Sequence, residues 1–136
     1  MSRRRKAREI ALQTLYAAEV SSADWRAVLR DNVARRKASG EVVEYAERLV
    51  MNVIAETAEL DERIAKRLEN WELRRVSVID RTILRIALSE LVHCPEVPTS
   101  VILNEAIEIA ERFSSADAGR FVNGVLDVLA REVRGS

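Results

Sequence analysis

The segment EVVEYAERLVMNVIAE, residues 41–56, carries Val42, Ala46, Leu49, Val50, Val53 and Ile54 at intervals of three and four. That period places all six side chains on one face of an α-helix, whereas a half-buried strand requires alternation. The stripe is unbroken, so it is read as a core-facing helix. An unpaired carboxylate at Val50 is then expected to unfold the domain.

The same period extends outward in both directions. Toward the N-terminus, a first helix is expected over about Arg5–Val20, with Ala11, Leu12, Leu15 and Ala18 inward. Arg5, Glu9, Gln13 and Tyr16 fall on another ridge of it. A second helix, to about Arg36, turns Trp25, Val28, Leu29 and Val33 inward, with Ser21 to Asp24 as its capping box. KASG, residues 37–40, breaks the chain at Gly40.

Toward the C-terminus, a short break near Ala58 precedes a fourth helix carrying Leu60, Ile64, Leu68 and Trp71. Ser77 and Asp80 cap a fifth helix, to about Val92, with Ile79, Ile83, Ala87 and Leu91 inside. Leu84 and Leu88 make it apolar on a second face, which predicts a central position. CPEVP, residues 94–98, is a proline stop. A sixth helix over about Thr99–Phe113 turns Ile102, Ala106, Ile109, Ala110 and Phe113 inward. SSADAG, residues 114–119, links it to a last helix holding Phe121, Val122, Val125, Leu126 and Leu129.

Short links between such helices imply a compact antiparallel all-α bundle of about seven helices. The expected organisation is one domain over 1–136. It comprises a basic arm over 1–8, an N-terminal half over 9–75 and a C-terminal half over 76–136, two subdomains sharing the fifth helix.

Composition excludes several classes. Hydrophobic residues make up 48% of the chain, which argues against disorder. No apolar run is long enough to span a bilayer, and no apolar region follows the basic start as in a signal peptide. One Cys and one His cannot build a Cys/His zinc site, and no disulfide can form within the chain. A cytoplasmic protein without metal or cofactor is expected. Phosphate-binding glycine loops and nucleophile elbows are missing, so no enzyme is expected. His93 reads as a helix-end residue and Cys94 as a small buried one. Arg81 and Arg85 share a face and could meet phosphate or pair with Asp80 and Glu90.

Charge is uneven. The chain has 22 basic and 22 acidic residues, yet Arg3, Arg4, Arg5, Lys6 and Arg8 crowd its first eight positions. A basic arm on a mildly acidic body points to a polyanion, with nucleic acid the first candidate. A solubilising tail, an acidic protein partner and a membrane surface are the other readings. Few packing residues lie there, so neutralising Arg4, Arg5 and Arg8 is expected to weaken RNA binding and leave the melting temperature nearly unchanged. Gln13 can read a base edge, and Tyr16 and Phe121 can stack on unpaired bases beside Arg120. Tyr16 could equally flank the core, and Phe121 fits the core stripe of the last helix.

Four segments resemble the NusB transcription antitermination family in order and spacing: RRKAREIALQTLYA (4–17), VSVIDRTILRIALSEL (76–91), VPTSVILNEAIEIAERF (97–113) and RFVNGVLD (120–127). The resemblance implies a seven-helix, two-part, non-catalytic fold. It implies binding of boxA-type single-stranded RNA in nascent ribosomal transcripts together with NusE, a small-subunit ribosomal protein. Other Nus factors and RNA polymerase complete that complex, which suppresses premature termination. Monomers and homodimers both occur in the family. The RNA-side positions it implies are Arg3, Arg4, Arg5, Lys6, Arg8, Gln13, Tyr16, Arg120 and Phe121. The partner-side positions are Glu90, Asn104, Glu105, Glu108 and Asp117. Ser89 departs from the large side chain frequent there, which is expected to alter the neighbouring surface. The rival function is a non-catalytic interaction domain, or an accessory domain of an RNA-modifying enzyme.

Overall fold

A computed structural model describes residues 2–69 and 72–135. Among these residues six α-helices follow one another: α1 (Arg3–Ser21), α2 (Trp25–Arg35), α3 (Glu41–Ala65), α4 (Val78–His93), α5 (Thr99–Phe113) and α6 (Ala116–Arg134). A 3-10 turn, Leu73–Arg75, precedes α4. No strand occurs among the described residues.

The helix count differs from expectation at one place. The third and fourth helices run together as α3, with the break expressed as a kink at Glu56 (φ −123°, ψ 22°). Beside it, Thr57 Oγ1 donates back to the Val53 carbonyl at 2.6 Å, a bond that bends helices. The helix stops at Ala65, so Leu68 packs from a turn, and Trp71 lies outside the described residues.

Caps explain the other boundaries. Ser77 Oγ accepts the Asp80 backbone N–H at 3.2 Å and starts α4 as expected. Asp24 alone caps α2, because Ser21 still belongs to α1 and the chain turns left-handed at Ser22 (φ 55°). Gly40 (φ 55°) supplies the sharp entry to α3. The CPEVP link is held from the far end of the chain. Arg134 donates to the carbonyls of Leu91, Cys94 and Val97, bridging the end of α4 and the link that follows.

One continuous apolar cluster runs through the molecule, from Ile10 of α1 and Leu49 of α3 to Ile102 of α5 and Leu129 of α6. Helix α4 packs against α1 and α3 and also against α5 and α6, which accounts for its apolar residues on two faces. Leu84 and Leu88 are fully buried. Val50 is 0% exposed, but Ile54, read into the same stripe, is 44% exposed. It sits just before the kink at Glu56, beyond which Leu60 and Ile64 are again buried. Cys94 is buried, as expected of a small apolar side chain; burial also pushes its thiol pKa up. Ser89 is buried too, with its hydroxyl unpartnered among the described residues, so the position does not shape the surface directly.

Candidate nucleic-acid interface

The basic N-terminal segment is not a free arm. Ser2 Oγ accepts the Arg5 backbone N–H at 3.0 Å and starts α1 at Arg3, so the cations occupy two helical turns. Their helical phase sorts them into different environments. Arg8 is 3% exposed and makes a two-pronged contact, Nε and Nη2 to the two carboxylate oxygens of Glu90, each at 2.8 Å. Glu90 is 1% exposed and also accepts the Tyr45 hydroxyl at 2.6 Å. Burial and Glu90 push the Tyr45 phenol pKa up, so it remains a donor. Arg8 also reaches Glu105 at 3.1 Å. Arg5 forks onto Glu105 and approaches Glu108 at 3.2 Å.

Two sequence expectations are thereby corrected. Arg8 cannot offer its guanidinium to RNA, nor Glu90 its carboxylate to a partner, because each is buried against the other. Arg5 and Glu105 are half-buried and largely satisfy one another. The expectation of unchanged stability after neutralising Arg4, Arg5 and Arg8 falls as well. The remaining first-turn cations are accessible. Arg3 pairs with Glu41 on the surface, Arg4 lies 4.6 Å over the Tyr45 ring, and Lys6 has no carboxylate within 4.0 Å among the described residues.

This network carries a pH signature. The hydrogen bond from Arg5, with a smaller part from Arg8, holds the Glu105 carboxyl below its ordinary pKa although burial alone would raise it. Its contribution is complete above the unfolded value of roughly 4.3 and is lost as pH falls through the lower folded value. Glu105→Gln is therefore expected to flatten the acid limb of a denaturation midpoint measured against pH. An acid limb identical to that of the unmodified protein would dismiss this ion pair as a contributor.

Arg81 and Arg85 are also committed internally, to partners other than those expected. Arg85 forks onto Asp61 at 2.6 and 2.8 Å, and both arginines contact Glu19, at 2.7 and 3.0 Å. They tie α1, α3 and α4 together. His93 ends α4 as expected, with Nε2 2.6 Å from Glu56 Oε1.

The opposite end of α1 presents the remaining site positions. Tyr16 is exposed, and Gln13 is half-buried with its amide oxygen accepting from Arg36 at 3.2 Å. Arg112, in the last turn of α5, donates to buried Glu9 at 3.2 Å, which brings the α5 end against the Gln13 ridge. Two residues of link follow before α6 begins, so Asp117, Arg120 and Phe121 enter from that end. Arg120 and Asp117 are both exposed and pair across one helical turn. Phe121 is half-buried: it packs on the core and lines an open hollow of about 270 Å³ with Arg75, Ser77, Asp80 and Asp117. The ring is therefore packed on the core on one side and open on the other. Asn104 and Glu108 are exposed on α5.

Sequence reasoning missed Arg36 beside Gln13, Arg112 on Glu9, and Arg75 and Asp80 beside Phe121. The run Arg35-Arg36-Lys37 was a visible signal. Arg112 had none, because its relation to Glu9 spans the length of the chain. Among the described residues no group of three or more His, Cys, Asp or Glu could hold a metal, and no helix is long and apolar enough to cross a membrane.

Fold and surface together define a class, an all-helical protein that presents cationic and aromatic side chains on its surface. The NusB family model matches residues 5–131, and the chain belongs to that family. The transcription antitermination protein NusB of Chloroherpeton thalassium is 39% identical over 96% of this chain; the alignment spans 63% of that relative's length. A solved structure of T. maritima NusB is 34% identical, with TM-score 0.88 over 95% of this chain and 91% of that one. Antitermination factors NusB and NusE have been solved in complex with dsRNA. That NusB-like chain shares the fold at 24% identity and TM-score 0.88, covering 97% of this chain and 98% of that one.

Proposed function

We propose that the protein is an RNA-binding transcription antitermination factor that takes boxA-type RNA of nascent ribosomal transcripts together with a NusE-like ribosomal protein. In that role it acts as a scaffold, joining other Nus factors on RNA polymerase and suppressing premature termination. The observation that carries the reading is Phe121, an aromatic ring half open to a hollow beside the exposed Arg120. Stacking on a ring suits unpaired bases, and the guanidinium supplies a phosphate contact. The Arg120–Asp117 pair is too exposed to hold the arginine back, since such pairs contribute roughly 0–1 kcal/mol. Family membership supports the antitermination role, and the NusB–NusE–dsRNA neighbour supports the kind of partner. Asn104, Glu108 and Asp117 are the exposed acidic and amide positions offered to the protein partner.

Phe121→Leu keeps apolar bulk and removes the flat ring. Base stacking contributes roughly 1–3 kcal/mol, so boxA affinity is expected to fall by about tenfold with a minor change in melting temperature. Arg120→Ala is expected to weaken binding as well. Titrations against boxA and scrambled RNA, each with and without NusE, read both effects. Normal affinity with a large stability loss in Phe121→Leu would reduce the ring to a core residue.

A further inference from the structure

The N-terminal arginines and the Gln13 ridge carry opposite charge balances. Around Arg5 and Arg8 stand three carboxylates, Glu90, Glu105 and Glu108, so that cluster has no spare positive charge. Around Glu9 the ratio is reversed. Its carboxylate is buried, and two guanidiniums converge on it, Arg36 from just past the end of α2 and Arg112 from the last turn of α5: Arg36 Nη2 on Oε1 at 3.0 Å and Arg112 Nη1 on Oε2 at 3.2 Å. One negative charge faces two positive ones, and Lys37 stands next to Arg36 on the exposed turn. The neighbouring Glu111 does not cancel this, because its side chain lies against Gly119 of α6.

We propose that Arg36 and Arg112, seated on buried Glu9 with Gln13 between α1 and Arg36, form a second phosphate subsite that carries RNA beyond the bases held at Phe121. This inference rests on the RNA-binding reading and extends it along α1.

The geometry suits a phosphodiester. A guanidinium has five N–H donors. Arg112 makes one hydrogen bond, to Glu9, and Arg36 makes two, to Glu9 and Gln13, among the described residues. Arg112 remains 56% exposed and Arg36 25% exposed, so donors remain for phosphate oxygens. Both side chains are already anchored; Arg112 also lies 5.3 Å over the Phe113 ring. Anchoring removes part of the ordering cost that a free surface lysine meets on binding. The buried carboxylate is thus a fixed seat, and the excess charge faces solvent beside Gln13.

The test uses the full chain and two fluorescent RNAs, the boxA element alone and the same element extended on both sides. The variant is Arg36→Gln/Arg112→Gln, checked by thermal melting, with Lys37→Glu as a second variant that breaks no side-chain hydrogen bond or ion pair among the described residues. For the double variant, affinity for the short RNA is expected to stay within about twofold of the unmodified protein. On the extended RNA it is expected to fall about tenfold, and the slope of log affinity against log salt to shrink by roughly 1.4, two single-strand phosphates at about 0.7 each. Should the double variant fail to fold, Lys37→Glu must reduce affinity for the extended RNA. Unchanged affinity and slope on that RNA in the folded double variant, or unchanged affinity in Lys37→Glu, would overturn the subsite and leave the RNA-binding reading standing. Failure of the unmodified protein to bind either RNA would remove both. Loss of NusE binding with RNA affinity intact would reassign the patch to a protein contact and overturn the proposal.

Discussion

Arg8→Ala is expected to destabilise the domain by about 3–5 kcal/mol, the range for removing one partner from a buried ion pair. Arg8 and Glu90 are almost fully buried and joined by two hydrogen bonds of 2.8 Å. Alanine would leave the Glu90 carboxylate inside the fold with the Tyr45 hydroxyl as its one remaining side-chain donor. The orphaned charge accounts for most of the loss; the pair itself need not be strongly stabilising. Arg8→Met with Glu90→Leu and Tyr45→Phe is therefore expected to recover much of the stability, because no buried polar atom of the triad is left unpaired. Urea midpoints of the single and triple variants read the effect. A midpoint unchanged in Arg8→Ala would return Arg8 to the exposed basic arm that its neighbours in sequence suggested.

Val50→Asp is expected to cost more than about 4 kcal/mol and to leave little folded protein, since a buried carboxylate without a partner is among the few severe single changes. Val50 is wholly enclosed on α3, in the cluster shared with α1 and α4. Ile54→Asp supplies the control. Ile54 belongs to the same apolar stripe, but its side chain is substantially exposed before the Glu56 kink. Its replacement is expected to cost a small fraction of the Val50 effect. Circular dichroism melts of the two variants would show one lost transition and one nearly intact. Equal losses would mean that Ile54 is as enclosed as Val50.

These comparisons mark how far the sequence could be read. Periodicities of three and four set out the helices, and glycine, proline and Ser77 marked several of their ends. The central place of α4 was visible because Leu84 and Leu88 made it apolar on two faces. Phe121 was legible as apolar by its phase in the last helix, and its half-buried ring packs on the core. All of these signals are local: they depend on side chains within one or two turns of one another.

Charge pairing is not local. Arg8 meets Glu90 across 82 positions, Arg5 meets Glu105 across 100, and Arg112 meets Glu9 across 103. No period within a helix specifies which helix will lie opposite or at what height, so a run of arginines reads as a solvated arm until packing supplies its carboxylates. The sequence by itself determined an all-helical family member with its core stripes. Tertiary structure alone decided which cations are consumed inside the fold and which face solvent, because burial and the helix packing geometry set the partner of each charge.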